Sequence, residues 1–384
     1  MLRAARESQG LTQYQLAELT EGGAGGVSRA AISGIERGTN LPGLEALVSL
    51  SRVLHLEPAE ILERVDLAMT VPVDVSGLSI EDLRTQAERF VWAGDYRRAL
   101  SIYDAMFQVL VLNPPQDEQE RRRLTVRLEV NRAVMLRECS ALGASEAAAK
   151  RAVLLSDGFR ELQAEAYMVL ASLHSHDGNC VLAEVMAEQA VKLSEGCENA
   201  VRGLAWCQKG AVLHRGKRFD QALEAYARAR EFSTNARDSR NLIVVEGSIG
   251  SCLVDLGKKA AARKQLVKSI ELARKHHDPA AESSRLVELG RLSLAAGDLD
   301  EADTLAHAAL RISKPAELCL TIFRAEWLRH LIASHKSPNA TDRHRVVYLK
   351  KLYPRVRGHR TADAVSEFER EILESNPPQE GAHD

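Results

Sequence analysis

The chain has 384 residues, 45% of them hydrophobic and only 4% aromatic, with 27% charged and a formal net charge of −2. This length is enough for two or three domains, and the Ala/Leu-rich composition without any sustained apolar–polar alternation predicts a fold that is almost entirely helical. No secretory leader and no apolar run of membrane length is present, and the six cysteines show neither CxxC pairs nor zinc spacing, so a reduced, cytoplasmic setting is expected rather than a membrane or a disulfide frame.

The first predicted helix lies in LTQYQLAEL, Leu11 to Leu19. Thr12 followed by Gln15 is a capping box, in which each residue satisfies the other's backbone N–H, and Leu16, Ala17 and Leu19 form the apolar face. The second lies in VSRAAISGIERG, with Ser28 as N-cap, Ile32 and Ile35 directed inward, and Arg29, Ala30, Ser33, Gly34 and Arg37 outward. Small outward residues let such a helix enter a major groove closely, and Arg29 and Arg37 are long enough for guanine edges or phosphates. The first 65 residues carry six Arg against eight Glu. Affinity for DNA must therefore draw on dimerisation or on basic residues elsewhere.

Residues 2–63 resemble the lambda-repressor-like, or XRE, helix-turn-helix family. The resemblance is carried by Arg6, Gly10-Leu11-Thr12-Gln13, Leu16-Ala17-Glu18, Val27-Ser28-Arg29, Ile32-Ser33, Ile35-Glu36-Arg37-Gly38, Asn40-Leu41-Pro42, and Leu44, Leu47, Leu50, Leu54, Leu56 and Ile61. It implies a DNA-contacting set of Gln13, Ser28, Arg29, Ala30, Ser33, Arg37 and Asn40, and a buried ion pair between Arg6 and Glu36. Two features depart from the family: about five extra residues within Glu21–Gly25, and a Leu2 almost inside the first helix. The second implies either a short first helix or a start codon placed late.

A reader domain over 1–65 is followed by a linker over 66–78, marked by Pro72 and Gly77, and by repeated helix pairs over 79–315. The clearest copy, WCQKGAVLHRGKRFDQALEAYARA, sets Trp206, Gly210, Leu213, Phe219, Ala222, Tyr226 and Ala229 at the positions of the tetratricopeptide (TPR) consensus, which it resembles. An alanine of the second helix recurs at Ala99, Ala148, Ala183, Ala222, Ala262 and Ala302, with spacings of 49, 35, 39, 40 and 40. The expected fold is all-α: a lambda-repressor-like helix-turn-helix bundle, then a right-handed TPR solenoid of about six pairs with a concave groove. Trp206, as a consensus core residue, is expected to cost roughly 3–5 kcal/mol on truncation to alanine.

Projecting the repeat register onto that groove selects Arg84, Arg137, Met168, Ser172, His176, Arg215 and Arg291 as ligand candidates, beside Glu88, Trp92, Cys207, Ser251 and Asp255; Asn241 and Asn131, at a less favourable position in the repeat, are candidates for bidentate amide contacts instead. Several arginines and few acids suit a carboxylate. Residues 316–375 read as capping helices, with Ile322, Trp327 and Leu331 on one face of the first. A basic segment bearing Arg343, Arg345, Lys350, Lys351, Arg355, Arg357 and Arg360 follows, either a phosphate contact, a dimer surface or a solvated face. Residues 376–384 read as a disordered tail.

The combination resembles the RRNPP group of peptide-responsive regulators, known from quorum sensing. That resemblance implies a bacterial homodimer, nucleoid-associated when DNA-bound, that binds double-stranded DNA and whose TPR groove takes a short signalling peptide, with repression the expected sense of control. Two alternatives stay open on sequence: an adaptor whose groove recruits a partner protein, and a sequestering regulator of another protein, with the helix-turn-helix in a minor role. No catalytic residue, metal ligand or cofactor is expected, since HExxH and GxxxxGK[ST] are both absent and His276-His277 has no i, i+4 partner.

Overall fold

The computed structural model describes residues 5–7, 9–20, 26–36, 40, 42–54, 77–92, 95–139, 141–337, 343–356 and 363–374. Within these residues the chain is helical throughout, without a strand, and no helix is long and apolar enough to cross a membrane. Two compact units are separated at Gly77, the second taking up Leu78–Ser140 and the residues from Ser145 onward.

The first unit contains α1 (Gln13–Thr20), α2 (Arg29–Glu36) and α3 (Leu44–Leu54). The capping box forms: the Gln15 N–H donates to Thr12 Oγ1 at 3.2 Å, and the Thr12 N–H donates to Gln15 Oε1 at 2.9 Å. Leu16, Ala17, Val27, Ile32, Leu50 and Leu54 make the core. Leu19, expected on the apolar face, is 56% exposed, and Thr20 is buried in its place. Thr20 Oγ1 donates to the Ala17 carbonyl at 2.8 Å and accepts the Val27 N–H at 3.1 Å. This hydroxyl ties together the two flanks of the inserted segment 21–25, which itself lies outside the described residues. The linker up to 76 and the tail 376–384 also lie outside them.

The second unit is built of consecutive helix pairs: α4 (Ile80–Trp92) with α5 (Tyr96–Leu112), α6 (Glu118–Glu138) with α7 (Leu142–Leu155), α8 (Arg160–His176) with α9 (Cys180–Ser194), α10 (Asn199–Arg215) with α11 (Phe219–Asn235), α12 (Ser239–Asp255) with α13 (Lys259–Lys275), and α14 (Pro279–Leu294) with α15 (Leu299–Ser313). All six recurring alanines of the second helices are fully buried, which is why nothing larger stands there. Where two helices cross most closely a glycine faces a bulky side chain: a Cβ on Gly210 would lie 2.6 Å from the Tyr226 ring, and one on Gly250 would lie 2.7 Å from Leu266. Trp206, by contrast, is only partly buried at the edge of the cluster that Tyr226 anchors, with Lys209 Nζ 5.4 Å from its ring centroid. The expected core role of Trp206 is corrected accordingly: the side chain covers the seam from outside.

The turns between helices use a left-handed residue, glycine at Gly178, Gly257 and Gly297 but Lys217 and His277 elsewhere. The His276-His277 pair is thereby explained as a helix terminus and its turn.

The pairs are further tied by charge. Glu301 on α15 accepts from Arg263 of α13 and from Ser293 Oγ of α14 at 2.7 Å, and these bonds hold its carboxyl below the usual 4.5, at about 2. A depressed carboxylate contributes stability that is present above pH 4.5 and lost as the pH falls toward 2. Glu301→Gln is therefore expected to flatten the dependence of melting temperature on pH across that window, and an unchanged acid limb would remove the pair from the account.

After the sixth pair, α16 (Cys319–Lys336) covers the open end with Phe323, Trp327 and Leu328, all fully buried. The basic helix α17 (Arg343–Val356) docks on it: Arg345 donates to the Arg329 carbonyl at 3.1 Å and lies 3.5 Å from the buried Glu326. Arg343, Lys350, Lys351 and Arg355 stay on the exposed side, and Arg357 and Arg360 lie outside the described residues. The helical stretch ends with α18 (Asp363–Phe368), continued by a π turn over Glu369–Glu374.

Candidate nucleic-acid interface and ligand groove

The reading face is set by α2. Its N-terminus is capped by Ser28, whose Oγ accepts the Ala31 N–H at 3.2 Å, and Ser28, Arg29 and Ala30 are all exposed on the opposite side from Ile32. The helix is anchored at its other end, where Arg6 Nε donates to Glu36 Oε1 at 2.7 Å with both side chains less than 10% exposed. Arg6 also donates to the Leu11 carbonyl at 2.7 Å, so one guanidinium fixes the entry to α1 and the end of α2 together.

Gln13 is half-buried and donates to Glu36 Oε2 at 2.8 Å, which fixes its amide at the rim of the reading face. Sequence reasoning missed this third donor, although Gln13 and Glu36 were both singled out. Ser33 is half-buried. Asn40 is exposed, and a Cβ on Gly34 would fall 2.6 Å from its amide nitrogen. Gly34, expected to point outward, is therefore buried beneath Asn40, because the chain turns back across it. Arg37 lies outside the described residues.

In the second unit, first helices of successive pairs pack against one another (α6 on α8, α8 on α10, α10 on α12, α12 on α14, α14 on α16) far more than second helices do. The closely packed layer is the inner one, so first helices line the concave side. Lateral side-chain bonds cross this layer at regular intervals. Arg137 Nη1 donates to Ser172 Oγ at 2.8 Å, His214 Nε2 meets Asp255 at 2.7 Å, and Ser251 Oγ donates to Glu288 at 2.8 Å, linking residues 35, 41 and 37 apart.

Of the residues projected onto the groove, Arg84 is exposed and paired with Glu81, Met168 is half-buried, Ser172 is buried under Arg137, and His176 and Arg215 are exposed. Asn241 does not face the groove. It is 4% exposed, and its Nδ2 donates to Ser233 Oγ at 2.8 Å in the seam between α11 and α12, filling the space left by Gly203. Asn131 is half-buried, and the side chain of Trp92 lies outside what the structure describes. Cys207 is buried, and burial pushes its thiol up to about 12, which leaves it protonated and unreactive.

Arg291 is taken by the chain's own later segment: its two terminal nitrogens donate to Glu367 of α18 at 3.0 and 2.6 Å, and Trp327 Nε1 donates to the same carboxylate at 2.7 Å. The groove at this end is charge-balanced. Three guanidiniums, Arg285, Arg291 and Arg324, are set among three carboxylates, Glu288, Asp363 and Glu367. Burial pushes the Glu288 carboxyl up, but Arg285, Arg324 and Ser251 hold it below its usual range. A projection of single residues per helix could not have found this cluster; only the recurrence of Arg and Glu at i, i+3 in Arg285–Glu288 hinted at it.

Residues 2–61 match the family described as helix-turn-helix, and residues 202–275 match the tetratricopeptide repeat. No curated protein matches the sequence. Among solved structures, aspartyl phosphate phosphatase F from Bacillus subtilis is similar with a TM-score of 0.51 and 13% identity, over 79% of this chain and 91% of its own. A Rap protein complexed with competence and sporulation factor gives 0.50 and 12%, over 78% and 84% respectively. Bacillus thuringiensis PlcR, in complex with the peptide PapR7 and DNA, gives 0.44 and 16%, over 74% and 96%. The chain thus carries an XRE-type helix-turn-helix domain at its N-terminus, followed by tetratricopeptide repeats.

Proposed function

We propose that this protein is a sequence-specific transcription regulator, a repressor acting as a homodimer on double-stranded DNA, whose affinity for its operator is set by a short signalling peptide in the TPR groove. The observation that carries the DNA half is the exposed Ser28-Arg29-Ala30 face on a helix whose far end is pinned by the buried Arg6–Glu36 pair. A recognition helix held this way meets base edges with its first turn. One such helix buries too little surface for operator affinity, which supports two copies on half-sites about one helical turn apart. The polar concave layer supports the ligand half, since a peptide backbone needs donors and acceptors at regular intervals along its path.

Two measurements test the reading. Sequencing of DNA co-precipitated with the protein in its native host is expected to give a few sharp sites sharing a two-fold motif, and diffuse enrichment would refute the regulator. Arg29→Ala is expected to weaken binding to the recovered site by about 1–3 kcal/mol while changing binding to random DNA much less. Equal losses on both sequences would reduce Arg29 to a phosphate contact.

A further inference from the structure

The groove arginines differ in one respect. Arg84 meets Glu81, Arg291 meets Glu367, and Arg137 gives Nε and Nη2 to Glu138 at 3.1 and 2.6 Å. Arg215 meets no carboxylate among the described residues. Its one hydrogen bond runs from Nη1 to the Ser175 carbonyl at a long 3.5 Å, which leaves most of its fork unused. The charged side chain that acts on it is a like one, Arg137. Partial desolvation holds Arg215 below its ordinary range, Arg137 pushes the same way, and only the weakly acidic Tyr226 and Cys180, not a carboxylate, pull against them.

The two guanidiniums also converge on one turn of helix. Arg137 reaches Ser172 from α6, and Arg215 reaches Ser175 from α10, so they bracket the last turn of α8 from its two neighbours. Arg137 is immobilised by Glu138 and Ser172, and Arg215 is the member left to bind. The far end of the groove has the same elements in a completed state, with two parallel N–H bonds from Arg291 to Glu367. A carboxylate on a guanidinium fork is the strong form of this interaction.

We propose that Arg215, with Arg137 beside it, is an anion subsite that receives a carboxylate of a short peptide at the last turn of α8. The inference rests on the groove reading above and adds to it the chemical group that the ligand must carry and where that group sits.

The test uses the full chain and two libraries of random six-residue peptides, one with free C-termini and one amidated, offered in competition and read by mass spectrometry of the retained fraction. Wild type is expected to favour carboxylate-bearing peptides by about tenfold over neutral ones. Enrichment of free-acid peptides without Asp or Glu assigns the group to the C-terminus, and enrichment of amidated acidic peptides assigns it to a side chain. Either outcome supports the subsite. Arg215→Gln should abolish the preference with the helical circular dichroism intact, and Arg215→Lys should keep part of it.

Retention by wild type without any charge preference, or an unchanged preference in Arg215→Gln, overturns the subsite and leaves the groove reading standing. Retention of no peptide by wild type overturns both.

Discussion

Truncating Tyr226 to alanine is expected to destabilise the repeat unit by about 3–5 kcal/mol, the cost of removing a buried aromatic where the surroundings relax only in part. Tyr226 is 1% exposed and its ring rests on the bare Cα of Gly210, so that wall of the space has no side chain to fill it. The consensus residue Trp206 gives the contrasting case. Being half-covered, Trp206→Ala should lose only about 1–1.5 kcal/mol, half the transfer free energy of a fully buried large side chain. Urea denaturation followed by helical circular dichroism separates the two variants, and equal shifts in midpoint would contradict the packing described. Because repeats couple mainly to their neighbours, the Tyr226 variant should also broaden the transition as the middle of the array loosens first.

The second large effect belongs to the reader. Glu36→Ala takes from the Arg6 guanidinium its buried carboxylate, leaving only the exposed Glu7 at 3.4 Å, and removes the acceptor of Gln13 at the same time. The side chains are 9% and 4% exposed, but the surrounding bundle is thin, so the loss is set at about 3 kcal/mol, the low end for breaking a buried pair. The expected result is loss of DNA binding on every sequence, with the repeats' denaturation midpoint unchanged. Replacing both partners, Arg6→Met with Glu36→Leu, should restore the fold, since an apolar pair of similar volume needs no desolvation of charge. A double variant as unstable as the single one would show that the guanidinium matters mainly for its bond to the Leu11 carbonyl.

What could be read from sequence was whatever repeats or stays local. The capping box of Thr12 and Gln15 spans three residues, and the six alanines recur at nearly constant intervals, so both were legible before any coordinate. The Arg6–Glu36 pair was legible only through its resemblance to a family, because nothing in spacing joins residues so far apart. Several features escaped. Gly34 is buried because the chain returns over it at Asn40, and Leu19 is exposed because Thr20 is needed inside to hold Val27. Asn241 on α12 was a candidate amide contact in spite of its less favourable position in the repeat, and its amide instead fills the seam where Gly203 has no side chain. The fate of Arg291 was the least readable, since its partner comes from a segment that belongs to no repeat.

That partner lies 76 residues further along the chain, about twice the separation of the other bonds across the concave layer. During synthesis at roughly 5–20 residues per second, Arg291 leaves the ribosome about 4–15 s before Glu367 does. The earlier pairs can settle one behind another as they emerge, but the sixth must wait with a cation and the Trp327 N–H unmatched. The order of translation therefore divides this array into a part completed during synthesis and a part closed at its end. In that interval the exposed aromatic face of α16 is the surface most open to a chaperone or to another nascent copy.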